Sequence, residues 1–277
     1  MIVGTIVAFI FGCIVGSFLN VVILRTEKKE QFLSGRSHCM HCQHTLSFWD
    51  LIPVVSYIAL GGKCRYCKAR LSAQYPIVEA LTGVLFAVGF WFAAPVFLPH
   101  SVLLFALVML YYMVAVSMMI VMSFYDFRTL TIPNAFITFS VFSALVFDFL
   151  LIFFPKPAAA ASYWFSFPSF NFFSSIEGAV IAALFMLFLY LVTMGNSMGF
   201  GDIKLVVFLG LLLGWPNILL MIFASFVLGA VTGIILLIFR LKHLQSKLPF
   251  APFLAAGSLL TIFLANLVFY GYLHGFF

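Results

Sequence analysis

Four cysteines and two aspartates carry most of the chemistry this sequence can offer. Cys39-Met40-His41-Cys42 and Cys64-Arg65-Tyr66-Cys67 form two C-x-x-C pairs with 21 residues between them. Each short pair presents two thiolates on one side, and two pairs complete a tetrahedron, the arrangement zinc takes. Four thiolates close the coordination sphere, so such a metal would be structural and would not activate water. Two structural disulfides are the alternative, and a reducing compartment weighs against them. His38, His41 and His44 interleave with the first pair and could substitute as ligands or stand as exposed loop histidines.

The aspartates are Asp126, in Tyr125-Asp126-Phe127-Arg128, and Asp202, in Gly199-Phe200-Gly201-Asp202-Ile203-Lys204. Each falls at the edge of an apolar run. Two carboxyl groups brought together cannot both ionise easily, so one keeps a proton while the other stays charged. Such a pair can activate water against a peptide carbonyl, the charged member as base and the protonated one as acid, titrating as a unit. Each residue also has a plainer reading: Asp202 as a helix N-cap, Asp126 as a solvated helix end paired with Arg128. Gly199 and Gly201 permit backbone shapes and close approach that other residues forbid, and Thr131-Ile132-Pro133-Asn134 opens the next run with proline near its first turn. Spacing alone does not bring together two aspartates 76 positions apart.

The elements that must position these groups are membrane spans. Only 8% of the 277 residues are charged and 65% are hydrophobic, against a charged share of about 25% in soluble domains, which excludes an ordinary soluble globule. A mean hydropathy of +1.20 excludes disorder. Apolar runs cover 1–24, 76–97, 101–124, 132–154, 176–194, 203–214, 217–239 and 251–276. The fold class is therefore all-α and polytopic, with about eight transmembrane helices and a small polar insert. The sixth run, ending at Gly214-Trp215-Pro216, is too short to span alone at 1.5 Å per residue. It is either a half-span packed inside protein or a span that continues through that turn.

With eight crossings, thirteen of the fourteen Lys and Arg residues fall on one side, Lys156 alone on the other. The positive-inside rule makes that side the cytoplasm, with both termini outside. The net charge of +6 is thereby explained by topology and does not point to nucleic acid. No basic residue precedes Arg25, so 1–24 reads as a first span rather than a cleaved signal, and Cys13 as a buried apolar residue rather than a lipidation site. The chain divides into that span, a cytoplasmic insert 25–71 with the four cysteines, and a membrane core 72–277. An insert of this size builds little core of its own, and bound metal would supply folding energy. The segment 155–175, rich in Ala, Phe and Ser, reads as an irregular outer loop, with Asp148 and Glu177 also outside.

At these residues the chain resembles the type IV prepilin peptidase family, bacterial membrane aspartyl proteases with a G-x-G-D motif. The resemblance rests on an ordered set. It comprises Gly16-Ser17-Phe18-Leu19-Asn20-Val21-Val22, the two cysteine pairs, Trp49-Asp50-Leu51-Ile52-Pro53, Tyr75-Pro76-Ile77-Val78-Glu79, Asp126 with Ile132-Pro133-Asn134, and Gly199-Phe200-Gly201-Asp202-Ile203-Lys204-Leu205. The resemblance implies a two-step enzyme of the bacterial inner membrane. It would cut the basic leader from prepilins and pseudopilins after a glycine at the cytoplasmic face, then methylate the new N-terminal residue with S-adenosylmethionine. Carried over, Asp126 and Asp202 are the peptidase pair, and the insert goes with methyl transfer. Glu79 and Asp50 are candidates for holding cofactor or the substrate amine. Glu79 can equally meet the positive end of a helix dipole, Asp50 can be a solvated insert residue, and Asn20 can simply satisfy backbone groups. No glycine-rich dinucleotide fingerprint is present, so S-adenosylmethionine rests on the resemblance alone. Two other readings stand beside it: a peptidase without methylation, and a transporter with an aspartate ion relay. Both aspartates at one interface and no evident inverted repeat weigh against the latter.

Overall fold

The structure, a computed structural model, describes residues 1–31, 37–154, 171–195, 198–240 and 248–273, with side chains to 265 in the last helix. Among these residues the fold is helical, with two isolated β-bridges in the insert. The apolar runs become α1 (Ile2–Glu27), α3 (Gln74–Phe97), α4 (Val102–Thr129), α5 (Asn134–Leu151), α6 (Phe172–Val192), α7 (Phe200–Leu213), α8 (Asn217–Ile238) and α9 (Ala251–Leu273). The insert adds a 3-10 turn (Phe48–Leu51) and the short α2 (Val55–Ala59). Six helices, α1, α3, α4, α5, α6 and α8, are long and apolar enough to cross a membrane. Of the expected loop 155–175, residues 155–170 lie outside the described residues, and Phe172–Ser175 instead open α6, capped by Asn171.

Helix ends follow local chemistry. Ser101 caps α4 by accepting the Leu104 N–H at 3.3 Å, and the helix stops at Leu130, whose φ of 54° is left-handed. α4 therefore runs five residues past the apolar stretch and carries Asp126 in its last turn. Asn171 caps α6 through the N–H groups of Phe173 and Ser174. α7 ends where Gly214 takes a φ of 69°, a conformation that glycine adopts at no steric cost.

The chain separates into two compact units, Met1–Trp91 and Phe92–Phe277. In the first, α1 and α3 approach almost backbone to backbone. A Cβ placed on Gly12 would lie 2.8 Å from the Gly83 Cα, and one on Gly16 would lie 2.7 Å from the Glu79 Cα. Small residues at such crossings are how helices pack where water supplies no driving force. Asn20 donates to the carbonyls of Gly16 in its own helix and Tyr75 in α3.

In the second unit the short run forms α7, packed along α6. It is 14 residues long, about 21 Å. Its C-terminal end meets the start of α6: the Trp215 N–H donates to the Ser174 carbonyl at 3.0 Å, and the Ser174 hydroxyl donates to the Trp215 carbonyl at 2.7 Å. Its other end meets the finish of α6, where the Tyr190 and Phe200 rings lie 6.0 Å apart. α7 thus runs antiparallel along most of α6, and from Phe208 to Leu213 every residue is buried. It is a short element buried against its neighbours and closed by the Gly214-Trp215 turn. The contact is close because a Cβ on Gly210 would fall 2.5 Å from the Ala179 Cα.

Candidate active site and metal centre

Asp126 and Asp202 converge within the second unit. Both are buried, with 5% and 8% of their surface exposed, and each carboxylate lies within electrostatic reach of the other. Four helix ends assemble around them: the last turn of α4 and the first turns of α5, α7 and α9. Asp202 reaches back to accept the Gly199 N–H at 3.1 Å. It therefore stands at the third helical position and closes the turn begun by Gly199, instead of being the N-cap itself. Asp126 accepts the Ala251 N–H at 3.1 Å, and the Phe250 N–H also points to it. A helix N-terminus offers unpaired N–H groups and positive dipole charge, so α9 is a natural neighbour for this carboxylate.

The flanking motif residues brace this arrangement. Lys204 donates to the Asn134 side chain at 2.8 Å, tying the starts of α5 and α7, and its ammonium lies 5.2 Å from the centre of the Phe200 ring. A Cβ on Gly201 would meet Ile132 at 3.5 Å, so Ile132-Pro133 packs directly on the G-x-G-D turn. Sequence reasoning missed the part played by α9. The available signal was Pro252, which marks a helix's first turn and hence its free amides. Asp148, by contrast, lies near the other end of α5, buried and facing Ser175 and Tyr111.

The four cysteines of the insert gather in the first unit, their sulfurs all within 4.8 Å of one another. The Cys39 and Cys67 sulfurs are 3.9 Å apart. A tetrahedron with metal–sulfur bonds of about 2.3 Å needs sulfurs about 3.8 Å apart, so the set fits a metal ion. The two knuckles repeat one design. In each, the first cysteine's N–H donates to the carbonyl five residues on, of His44 or Ala69, at 2.9 Å. In each, too, a left-handed residue, Gln43 or Lys68, returns its N–H to that cysteine's carbonyl. The amides of Cys67 and Tyr66 aimed at the Cys64 sulfur draw its thiol down to about 7. None of the interleaved histidines joins the described ligand group; the His44 ring packs on Tyr66, with centroids 3.7 Å apart.

The two further carboxylates have protein partners. Asp50 accepts from Arg65 Nε at 2.6 Å, from the Tyr66 hydroxyl at 3.2 Å, and from the Ser47 amide and hydroxyl. Desolvation raises its carboxyl, but these donors outweigh it and hold the group at about 2. Arg65 and Tyr66 are the two residues between Cys64 and Cys67, so Asp50 clamps the 3-10 turn to the second knuckle. Glu79, in the second turn of α3, accepts the Val54 N–H at 2.7 Å and the Ser17 hydroxyl.

Apolar helices, buried carboxylates at converging helix ends and a four-cysteine centre in a polar insert are the equipment expected of a membrane peptidase. Comparison with known families agrees. Residues 10–93 match the bacterial peptidase A24 N-terminal domain, and residues 113–234 match the type IV leader peptidase family. A prepilin leader peptidase/N-methyltransferase of Bacillus subtilis strain 168 is 32% identical, covering 92% of each chain. One of Burkholderia pseudomallei strain 1026b is 30% identical over 92% of this chain and 84% of its own, and one of Pseudomonas putida is 28% identical over 92% and 88%. No solved structure matches the chain. The chain belongs to the type IV leader peptidase family, and with its apolar helices it is an inner-membrane protein.

Proposed function

We infer that this protein removes the leader from prepilins and pseudopilins and then methylates the new N-terminus. The carrying observation is the meeting of Asp126 and Asp202, from helices distant in sequence, in one buried site. In this reading the two carboxyl groups share one proton. The charged one takes a proton from water, whose oxygen adds to the scissile carbonyl. The other gives its proton to the leaving amine as the C–N bond breaks. The amides of Ala251 and Gly199 fix the two carboxylates for these roles. The site faces the cytoplasm in this reading, because the basic residues cluster on that side. A prepilin, itself an apolar helix behind a basic leader, would present its scissile bond there.

The second step is assigned to the first unit. Zinc is the metal that the Cys39, Cys42, Cys64 and Cys67 set best suits, and it would brace the insert without taking part in chemistry. S-adenosylmethionine, when bound, supplies the methyl group; the chain's own contribution is an ordered insert, braced by Asp50 within it and by Glu79 from α3. The test is to incubate purified protein with a prepilin and S-adenosylmethionine and weigh the product. Loss of the leader mass followed by gain of one methyl supports both steps. Leader loss without methyl gain leaves a peptidase alone, and an intact prepilin overturns the reading.

A further inference from the structure

The insert is joined to the α1–α3 pair through an uncommon piece of backbone. Val54 has φ 62° and ψ −50°, and the Val55 N–H closes back on the Pro53 carbonyl at 2.6 Å. This is a γ-turn of the positive-φ kind, which is strained, and more so with a β-branched residue at its centre. Such a conformation persists only when its surroundings hold it. The holding group is Glu79, whose Oε2 accepts the Val54 N–H at 2.7 Å. Glu79 is itself fixed: it is 7% exposed, it accepts the Ser17 hydroxyl, and it sits where Gly16 brings α1 against α3. The next residue begins α2, whose first bonds run from Ser56 to Ile52 and from Ile58 to Val54. One bond from a buried α3 carboxylate therefore pins the turn that opens α2 against the helix pair.

We propose that Glu79 is a positioning residue for methyl transfer, acting through Val54: its oxygen must accept a hydrogen bond, and its charge is not required. This rests on the reading that the first unit carries methyl transfer. A contact with the cationic methyl donor or the substrate amine would instead require the charge. Glutamine separates the two, since its amide carbonyl can accept the Val54 N–H while carrying no charge.

The experiment compares full-length wild type, Glu79→Gln, Glu79→Ala, and Glu79→Ala combined with Val54→Gly. The readouts are product mass with prepilin and S-adenosylmethionine, and amide hydrogen exchange over residues 54–59. Glu79→Gln should methylate within about threefold of wild type, whereas Glu79→Ala should lose about tenfold or more, the size expected when a part-buried N–H is left without its acceptor. The alanine variant should also lose amide protection at 54–59 that the glutamine variant keeps. Glycine tolerates positive φ, so Val54→Gly should restore part of the methylation lost in Glu79→Ala. Leader removal in the same samples reports that the peptidase unit is folded. Methylation lost equally in both single variants with protection intact in the glutamine variant would overturn the proposal, as would unchanged protection in Glu79→Ala. A wild-type protein that cleaves without methylating would refute the underlying reading, and the proposal with it.

Discussion

The carboxylates of this protein differ in what surrounds them. Asp126 and Asp202 lie within electrostatic reach of each other, each steadied by a backbone amide from a helix start. Replacing either with asparagine keeps the shape but removes a group that must carry a proton, so leader removal should fall by about a hundredfold or more in each variant. Gel-shift assay of a prepilin, with membrane content measured alongside, checks this; near-normal cleavage by either variant would exclude the dyad. Asp50 is different, because four donors surround it and its pKa is held at about 2. A depressed carboxyl stabilises the fold fully above its unfolded value of about 3.9 and loses that effect only as pH falls through the folded value. The clamp is thus fully charged at neutral pH, and acid release of metal above about pH 4 must come from the thiolates. Asp50→Asn weakens an ion pair whose Arg65 side chain is 48% exposed. The expected effect is accordingly modest, a rate of metal loss to a chelator faster by about two- to fivefold. Both C-x-x-C pairs were legible in the sequence because each ligand pair is local. The partners of Asp50 and Glu79 were not, since they lie 15 and 25 positions away across turns whose shape the residue types do not specify.

At the scale of elements, glycine sets how near the helices come. α7 is short and bears Asp202 at its start, so its placement against α6 fixes where that carboxylate stands. Gly210 meets the Ala179 backbone so closely that an added methyl must push the helices apart. Gly210→Ala should cost about 1–3 kcal/mol, seen as a lower midpoint of thermal unfolding in detergent, with cleavage reduced as Asp202 shifts. Gly233→Ala is the control: its nearest neighbour would be 4.0 Å away, and the exchange should leave both properties near wild type. Among the described residues each apolar run forms one helix, with ends within a few residues of those expected. The runs left the fate of the sixth open, because hydropathy records how apolar a segment is and not whether its ends are met by a neighbour. The Ser174–Trp215 bonds and the Tyr190–Phe200 contact show that both its ends are met by α6.

For the whole molecule, the charge distribution and the site geometry make a joint prediction. If the basic side is cytoplasmic, a cysteine introduced at His100, between α3 and α4, should react with an impermeant maleimide in intact cells, while Arg128→Cys should react only after permeabilisation. The opposite pattern would place the paired aspartates on the wrong face for a substrate whose leader is cytoplasmic. The sequence by itself determined the membrane class, the apolar helices and the cysteine set, because burial in lipid and metal ligation impose patterns over a few to twenty consecutive residues. Tertiary structure alone decided that Asp126 comes within electrostatic reach of Asp202, that the amides opening α9 serve Asp126, and that Glu79 bonds Val54. Those are contacts between distant segments, fixed by how closely glycine-lined helices pack, and no spacing along the chain encodes that distance.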